Sequence, residues 1–111
     1  MYPNNKISSV WAKASFVSDI NEKNGFRKDQ CGAWIQRNAY GDRSHPYGWE
    51  IDHIKTLSKG GHDTLSNMRP LHWGNNASRQ DDRLTSYITS QNDHNIYVKT
   101  GKKVVTAQNH Y

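Results

Sequence analysis

Apolar and polar residues alternate most sharply from Trp49 to Ile54, where Trp49 and Ile51 alternate with the acids Glu50 and Asp52. A period of two predicts a half-buried strand. The polar stretch Lys55 to Ser66 carries Gly60-Gly61 and reads as a loop. Met68 to His72 predicts a second short strand, and a helix is predicted to start near Trp73 or Gly74. Strand, loop, strand and helix in this order bring Asp52, His53 and Asn76 together. Such a group can hold a divalent metal and activate a water.

The flanks are less regular. The N-terminal MYPNNKISS is polar and reads as frayed or strand-like. Val10, Ala14 and Val17 sit at helical spacing, with Ser8-Ser9 as a candidate cap, yet Phe16 to Ile20 reads equally well as extended. Asn24-Gly25 signals a turn, and Gly41 to Gly48 is a turn-rich loop leading into the first strand. Arg27 to Tyr40 interleaves Arg27, Lys28 and Arg37 with Trp34 and Tyr40. It is either an amphipathic segment with inward aromatics or a basic flank for phosphates, and one does not exclude the other. Gln80 to Asn95 is polar and is expected to continue the helix to about Arg83. Ile96 to Ala107 predicts a β-hairpin turning at Thr100-Gly101, with Lys99, Lys102 and Lys103 at its tip. Those lysines either keep an edge hairpin soluble or contact a DNA backbone. No internal repeat is visible.

A chain of 111 residues suits one small domain, 1–111. With 33% hydrophobic residues, four Trp and six Tyr, the core must be small and aromatic-rich. Fifteen Lys and Arg against ten Asp and Glu give a net charge of +5, which suits a polyanionic partner such as a phosphate backbone. The single cysteine, Cys31, excludes an internal disulfide framework and an all-Cys zinc knuckle. The longest apolar runs are only a few residues, so no membrane span or secretory core is expected, and the expected location is intracellular.

The segment Trp49 to Arg79, WEIDHIKTLSKGGHDTLSNMRPLHWGNNASR, resembles the HNH endonuclease motif of the ββα-metal, or His-Me finger, nucleases. The family pattern is Asp-His at the end of a first strand and a central Asn after a loop. A His or Asn follows on a helix, with a basic residue three places later. Asp52-His53, Asn67, Asn76 and Arg79 supply these parts in order. Thr56 departs from the pattern where a proline is common. The implied fold class is α+β: a small ββα-metal core with an N-terminal extension and the C-terminal hairpin. Many members also hold a structural zinc on two Cys-x-x-Cys pairs. Here Cys31-Gly-Ala-Trp34 keeps one thiol, and His72 and Asn75 stand where the second pair would be. A structural zinc is therefore not expected, and Trp34, His72 and Trp73 are expected to fill its place by packing.

The implied activity is metal-dependent hydrolysis of DNA to 5′-phosphate and 3′-hydroxyl ends. An imidazole of ordinary pKa ~6.5 is largely unprotonated at neutral pH, which makes His53 the natural general base. Asp52 and Asn76 are the metal ligands, and because both offer hard oxygens the expected ion is Mg²⁺ or Mn²⁺. His72 is the alternative ligand and would favour Zn²⁺ or Ni²⁺. By the resemblance, Asn67 orients the base loop. Arg79 is a candidate phosphate ligand one turn after Asn76, and Arg37, Lys102 and Lys103 are candidate DNA contacts. A catalytically silent DNA-binding module, or a nuclease subunit with a protein partner, are the alternatives.

Overall fold

The computed structural model of the protein describes residues 2–80 and 83–105. Ile7, Val10, Trp11 and Ala14 recur at i, i+3, i+4 and i+7, so one helical stripe can be buried. They do bury, and α1 forms over Asn4–Trp11. The polar N-terminus is thus neither frayed nor a strand from Asn4 onward, and Ser8 and Ser9 lie inside the helix instead of capping it. The chain is extended through Ser15, which bridges Lys28. Ser18 then caps α2, Asp19–Lys23, by accepting from the Asn21 amide. Gly25, at φ +83°, turns the chain into β1, Phe26–Lys28, which pairs antiparallel with β2, Trp34–Gln36.

The central hairpin is β3, Trp49–His53, against β4, Met68–His72, with Asp52 opposite Arg69 and His53 opposite Met68. Helix α3, Trp73–Ala77, follows β4 directly. It is only five residues long. The expected continuation to Arg83 does not occur, since Ser78 caps α3 and Thr85 Oγ1 donates to the Ser78 carbonyl. Residues 81 and 82 lie outside the described part.

At the C-terminus the expected turn at Thr100-Gly101 forms, and the segment after it returns antiparallel: Lys103 bridges Ile96, the Tyr97 amide donates to the Lys102 carbonyl and the Val104 amide to the Asn95 carbonyl. The expected strand end at 106–107 lies outside the described residues. The other side of this hairpin was not expected: β5, Ile88–Gln91, pairs with β6, His94–Tyr97, through a turn at Asn92. The reason is packing: Ile88 and Asn95 are buried, which fixes β5 and β6 against the rest of the protein.

The main core joins α1 to the central hairpin through Ile7, Val10, Trp11, Ala14, Ile35, Trp49 and Met68. Trp49 lies 5.2 Å from Trp11 and 5.0 Å from Tyr40, ring to ring. Burying two indoles of this size supplies several kcal/mol, roughly 25 cal/mol per Å² of apolar surface. A second cluster of Ala33, Ile88 and Val104 lies under the C-terminal hairpin. No helix among the described residues is long and apolar enough to cross a membrane.

Candidate functional site

The end of β3 opens onto a cleft of about 320 Å³ bordered by Ile51, Asp52, His53, Thr56, Leu57, Asn76 and Arg79. Successive strand residues face opposite ways, and Asp52 and His53 have different surroundings. The Asp52 side chain is 3% exposed and accepts from Arg69 Nε at 2.7 Å and Arg79 Nη1 at 2.6 Å. Arg69 is also its cross-strand partner. One carboxylate and two guanidinium groups are thus removed together from water. Removing one member of such a set leaves an uncompensated charge and costs about 3–5 kcal/mol.

His53 turns instead to the loop. Its Nε2 lies 2.8 Å from Asp63 Oδ1 and 3.4 Å from Tyr2 Oη, and Tyr2 donates to the same Asp63 oxygen at 2.8 Å. The His53 bond, with that from Tyr2, holds the Asp63 carboxyl below the usual aspartate range.

The loop between β3 and β4 is organised by Asn67. Its Oδ1 accepts from the Lys55 amide, and its Nδ2 donates to the carbonyls of Lys55 and His62, each at 2.9 Å. One side chain therefore ties the start of the loop to its far side. Two glycines make the tight path possible. Gly60 has φ +90°, and a Cβ on Gly61 would meet the Lys55 carbonyl oxygen at 2.0 Å. Lys13 of the segment after α1 closes the loop's end, with Nζ on the carbonyls of Leu65 and Met68.

Asn76 borders the cleft from α3 and donates its Nδ2 to Glu50 Oε1 at 2.8 Å. The amide is thereby oriented by its nitrogen, and its carbonyl Oδ1 is the atom it could offer a hard cation. Glu50 also takes a two-pronged bond from Arg43 at 2.6 and 2.9 Å. Burial pushes the Glu50 carboxyl up, but the bonds from Arg43 and Asn76 outweigh it and leave the group below the usual glutamate range. Arg79 is engaged internally. Beyond Asp52, its Nη1 reaches the His53 carbonyl at 2.6 Å and its Nη2 the Ile54 carbonyl at 3.1 Å.

The structure thus brings Asp52, His53, Asn76 and Arg79 to one cleft, with Asn67 behind the loop. It does not bring Arg37, Lys102 or Lys103 there. Arg37 Nη2 donates to Ser8 Oγ on α1, and Lys103 bridges Ile96.

The place of the knuckle is polar and not filled by aromatic packing alone. Asp29, 3% exposed, accepts from the amides of Cys31 and Ala33 on Oδ1, and from the His72 amide and Asn75 Nδ2 on Oδ2. All four distances are 2.9–3.0 Å. This one carboxylate joins the 31–34 turn to the 72–75 turn. Asn75 goes on to pair with both the amide and the carbonyl of Ile88, and Asn95 does the same with Trp34. His72 is fully buried, and both ring nitrogens are used. Nδ1 accepts from the Gly74 amide at 3.0 Å, and Nε2 donates to the Pro46 carbonyl at 2.8 Å. Burial holds its pKa below the usual histidine value. Neither nitrogen is available to a metal while these bonds stand. The Cys31 thiol, which burial pushes up, lies 3.6 Å from Ser86 Oγ.

Four residues that matter here carried little or no signal in the sequence. Glu50 was accessible in principle, being two residues from Asp52 on the same strand face. Arg69 depends on a hairpin register that a long loop does not fix. Asp63 and Asp29 lie in polar segments where nothing distinguishes them from solvated acids. Among the described residues, no three His, Cys, Asp or Glu side chains gather as a metal cage.

Comparison with known proteins adds one finding. Residues 31–78 match a family model described as HNH endonuclease. No curated protein and no solved structure gives a significant match.

Proposed function

From the premise that residues 31–78 form an HNH-family segment, we propose that this protein is a divalent-metal-dependent endonuclease hydrolysing DNA, with β3, β4 and α3 as its ββα-metal core. The observation that carries the reading is the meeting of Asp52, His53, Asn76 and Arg79 on one cleft.

The donors present fit a hard cation. Asp52 offers carboxylate oxygens, and Asn76 offers the carbonyl left by the Nδ2–Glu50 bond. Two protein oxygens beside an open cleft leave room for retained waters, which suits Mg²⁺ or Mn²⁺ better than Zn²⁺. When bound, such an ion supplies positive charge against the scissile phosphate. The rest falls to the side chains. His53 removes a proton from a water as its oxygen forms a bond to phosphorus. The bond from phosphorus to the 3′ oxygen breaks, and that oxygen takes a proton from solvent. Asn67 keeps the base loop in place, and Arg79 adds charge at the cleft wall. The net charge of +5 favours approach of the polyanion.

A second reading has a specific observation in its favour. Both Asp52 oxygens already carry guanidinium bonds, as expected if this site were a silent DNA-binding module with arginines in place of a cation. One experiment separates the two. Supercoiled plasmid is incubated with the protein and Mg²⁺ or Mn²⁺, with and without chelator, beside His53→Ala. Chelator-sensitive nicking that drops roughly 10²- to 10⁴-fold in the variant supports the nuclease. DNA binding without cutting under either metal supports the silent module.

A further inference from the structure

We propose that Asp63 is a positioning residue for His53, holding its imidazole as the Nε2–H tautomer so that Nδ1 is the nitrogen that accepts the proton. The proposal rests on the reading of His53 as the base. It starts from a contact with one chemical solution. Asp63 Oδ1 stands 2.8 Å from His53 Nε2, and an ionised carboxylate can only accept hydrogen bonds. Nε2 must therefore carry the proton in this contact, and the lone pair of the neutral ring lies on Nδ1. The ring also borders the cleft, as Asp52 and Asn76 do. A base of fixed tautomer beside the metal ligands is what water activation needs.

Asp63 is itself held in place. Its neighbour His62 has its carbonyl bound by Asn67 Nδ2 at 2.9 Å. Thr64, on its other side, accepts the Asn67 amide at 2.9 Å. Tyr2 donates to the same carboxylate oxygen from the N-terminal segment. Asn67 therefore positions two things at once: the start of the loop at Lys55 and the far side that presents Asp63. The His53 side chain is 16% exposed and that of Asp63 54%. Water screens a pair this open, so Asp63 contributes ring orientation and tautomer far more than charge. The competing role for Asp63 is a tether for Tyr2 alone.

The test uses the whole protein, labelled with ¹⁵N, and long-range ¹H–¹⁵N correlation spectra of the histidine rings at pH 8, with His53 assigned by its loss in His53→Ala. The wild type is expected to show His53 with a protonated Nε2 and a bare Nδ1. Asp63→Ala is expected to move both nitrogens toward a mixture of tautomers, and to lower kcat for plasmid nicking roughly tenfold with KM for DNA unchanged. Asp63→Asn should fall between the two. Tyr2→Phe removes the tether and leaves the Asp63–His53 contact, so its His53 pattern should match the wild type. An unchanged His53 pattern in Asp63→Ala, or an unchanged kcat while His53→Ala is inactive, overturns the proposal. So does a pattern that changes as much in Tyr2→Phe as in Asp63→Ala. Cleavage by His53→Ala at the wild-type rate overturns the base reading and the catalytic half of the proposal. The spectra still decide its geometric half, so the two failures are distinct.

Discussion

Lowering the pH should weaken the fold through His72, and the size of the effect follows from its two hydrogen bonds. Nδ1 accepts from the Gly74 amide, so a proton placed there would set N–H against N–H inside a fully buried pocket. Burial lowers the His72 pKa in the folded protein below its ordinary 6.5. The unfolded chain takes up the proton near 6.5 and the folded chain does not, so the unfolded state binds more protons in the window below 6.5. Stability then rises with pH through that window and is lost as pH falls from 6.5 toward the lowered folded value. The slope is at most about 1.4 kcal/mol per pH unit, which gives up to about 1.4 kcal/mol at pH 5.5. For a chain of 111 residues that is roughly 6 °C in Tm. The assay is urea denaturation from pH 8.0 to 5.5, comparing wild type with His72→Asn. The Asn side-chain oxygen can still accept the Gly74 amide, so α3 keeps its N-cap. The variant loses the Pro46 bond and some packing at every pH, but it should lose the His72 share of the slope. Equal slopes in the two proteins would refute the neutral, buried His72.

Three further outcomes are expected. Asn67→Ala breaks three hydrogen bonds of the loop and should cost about 2 kcal/mol while lowering nicking activity; an unchanged melting temperature and full activity would remove Asn67 from the site. Asn76→Ala should weaken activity with every metal, whereas Asn76→His should shift preference from Mg²⁺ or Mn²⁺ toward Zn²⁺ or Ni²⁺. Tight wild-type Zn²⁺ binding lost only in a His72 variant, measured by calorimetric titration, would instead make His72 the ligand. Asp29→Ala leaves three buried donors and one part-buried donor without their acceptor and should destabilise by on the order of 4 kcal/mol; a denaturation midpoint within error of wild type would show that the turns do not depend on it.

The central unit was legible because its signals are local. Period-two alternation at Trp49–His53, a Gly-Gly loop and an Asn after β4 depend on neighbours in the chain, and their order alone brings Asp52, His53 and Asn76 to one cleft. Helix α1 had a local signal too, Ile7, Val10, Trp11 and Ala14, but its polar start and the Ser8-Ser9 pair point to a later beginning. The C-terminal hairpin shows where local information stops. The Thr100-Gly101 turn has a local signal and forms, but β5 and its turn at Asn92 have none, because Ile88 and Asn95 take their places through buried partners in Asn75 and Trp34, distant in the chain. The partners of Asp52 and His53 were decided in the same way. Arg69 meets Asp52 through the β3–β4 register, and Asp63 meets His53 because Asn67 folds the loop back on itself. Which residues can do chemistry is a property of side chains in order, so the sequence determines it. Which charges neutralise them, and which nitrogen of a histidine carries the proton, depends on atoms distant in the chain, and only tertiary packing brings those into contact.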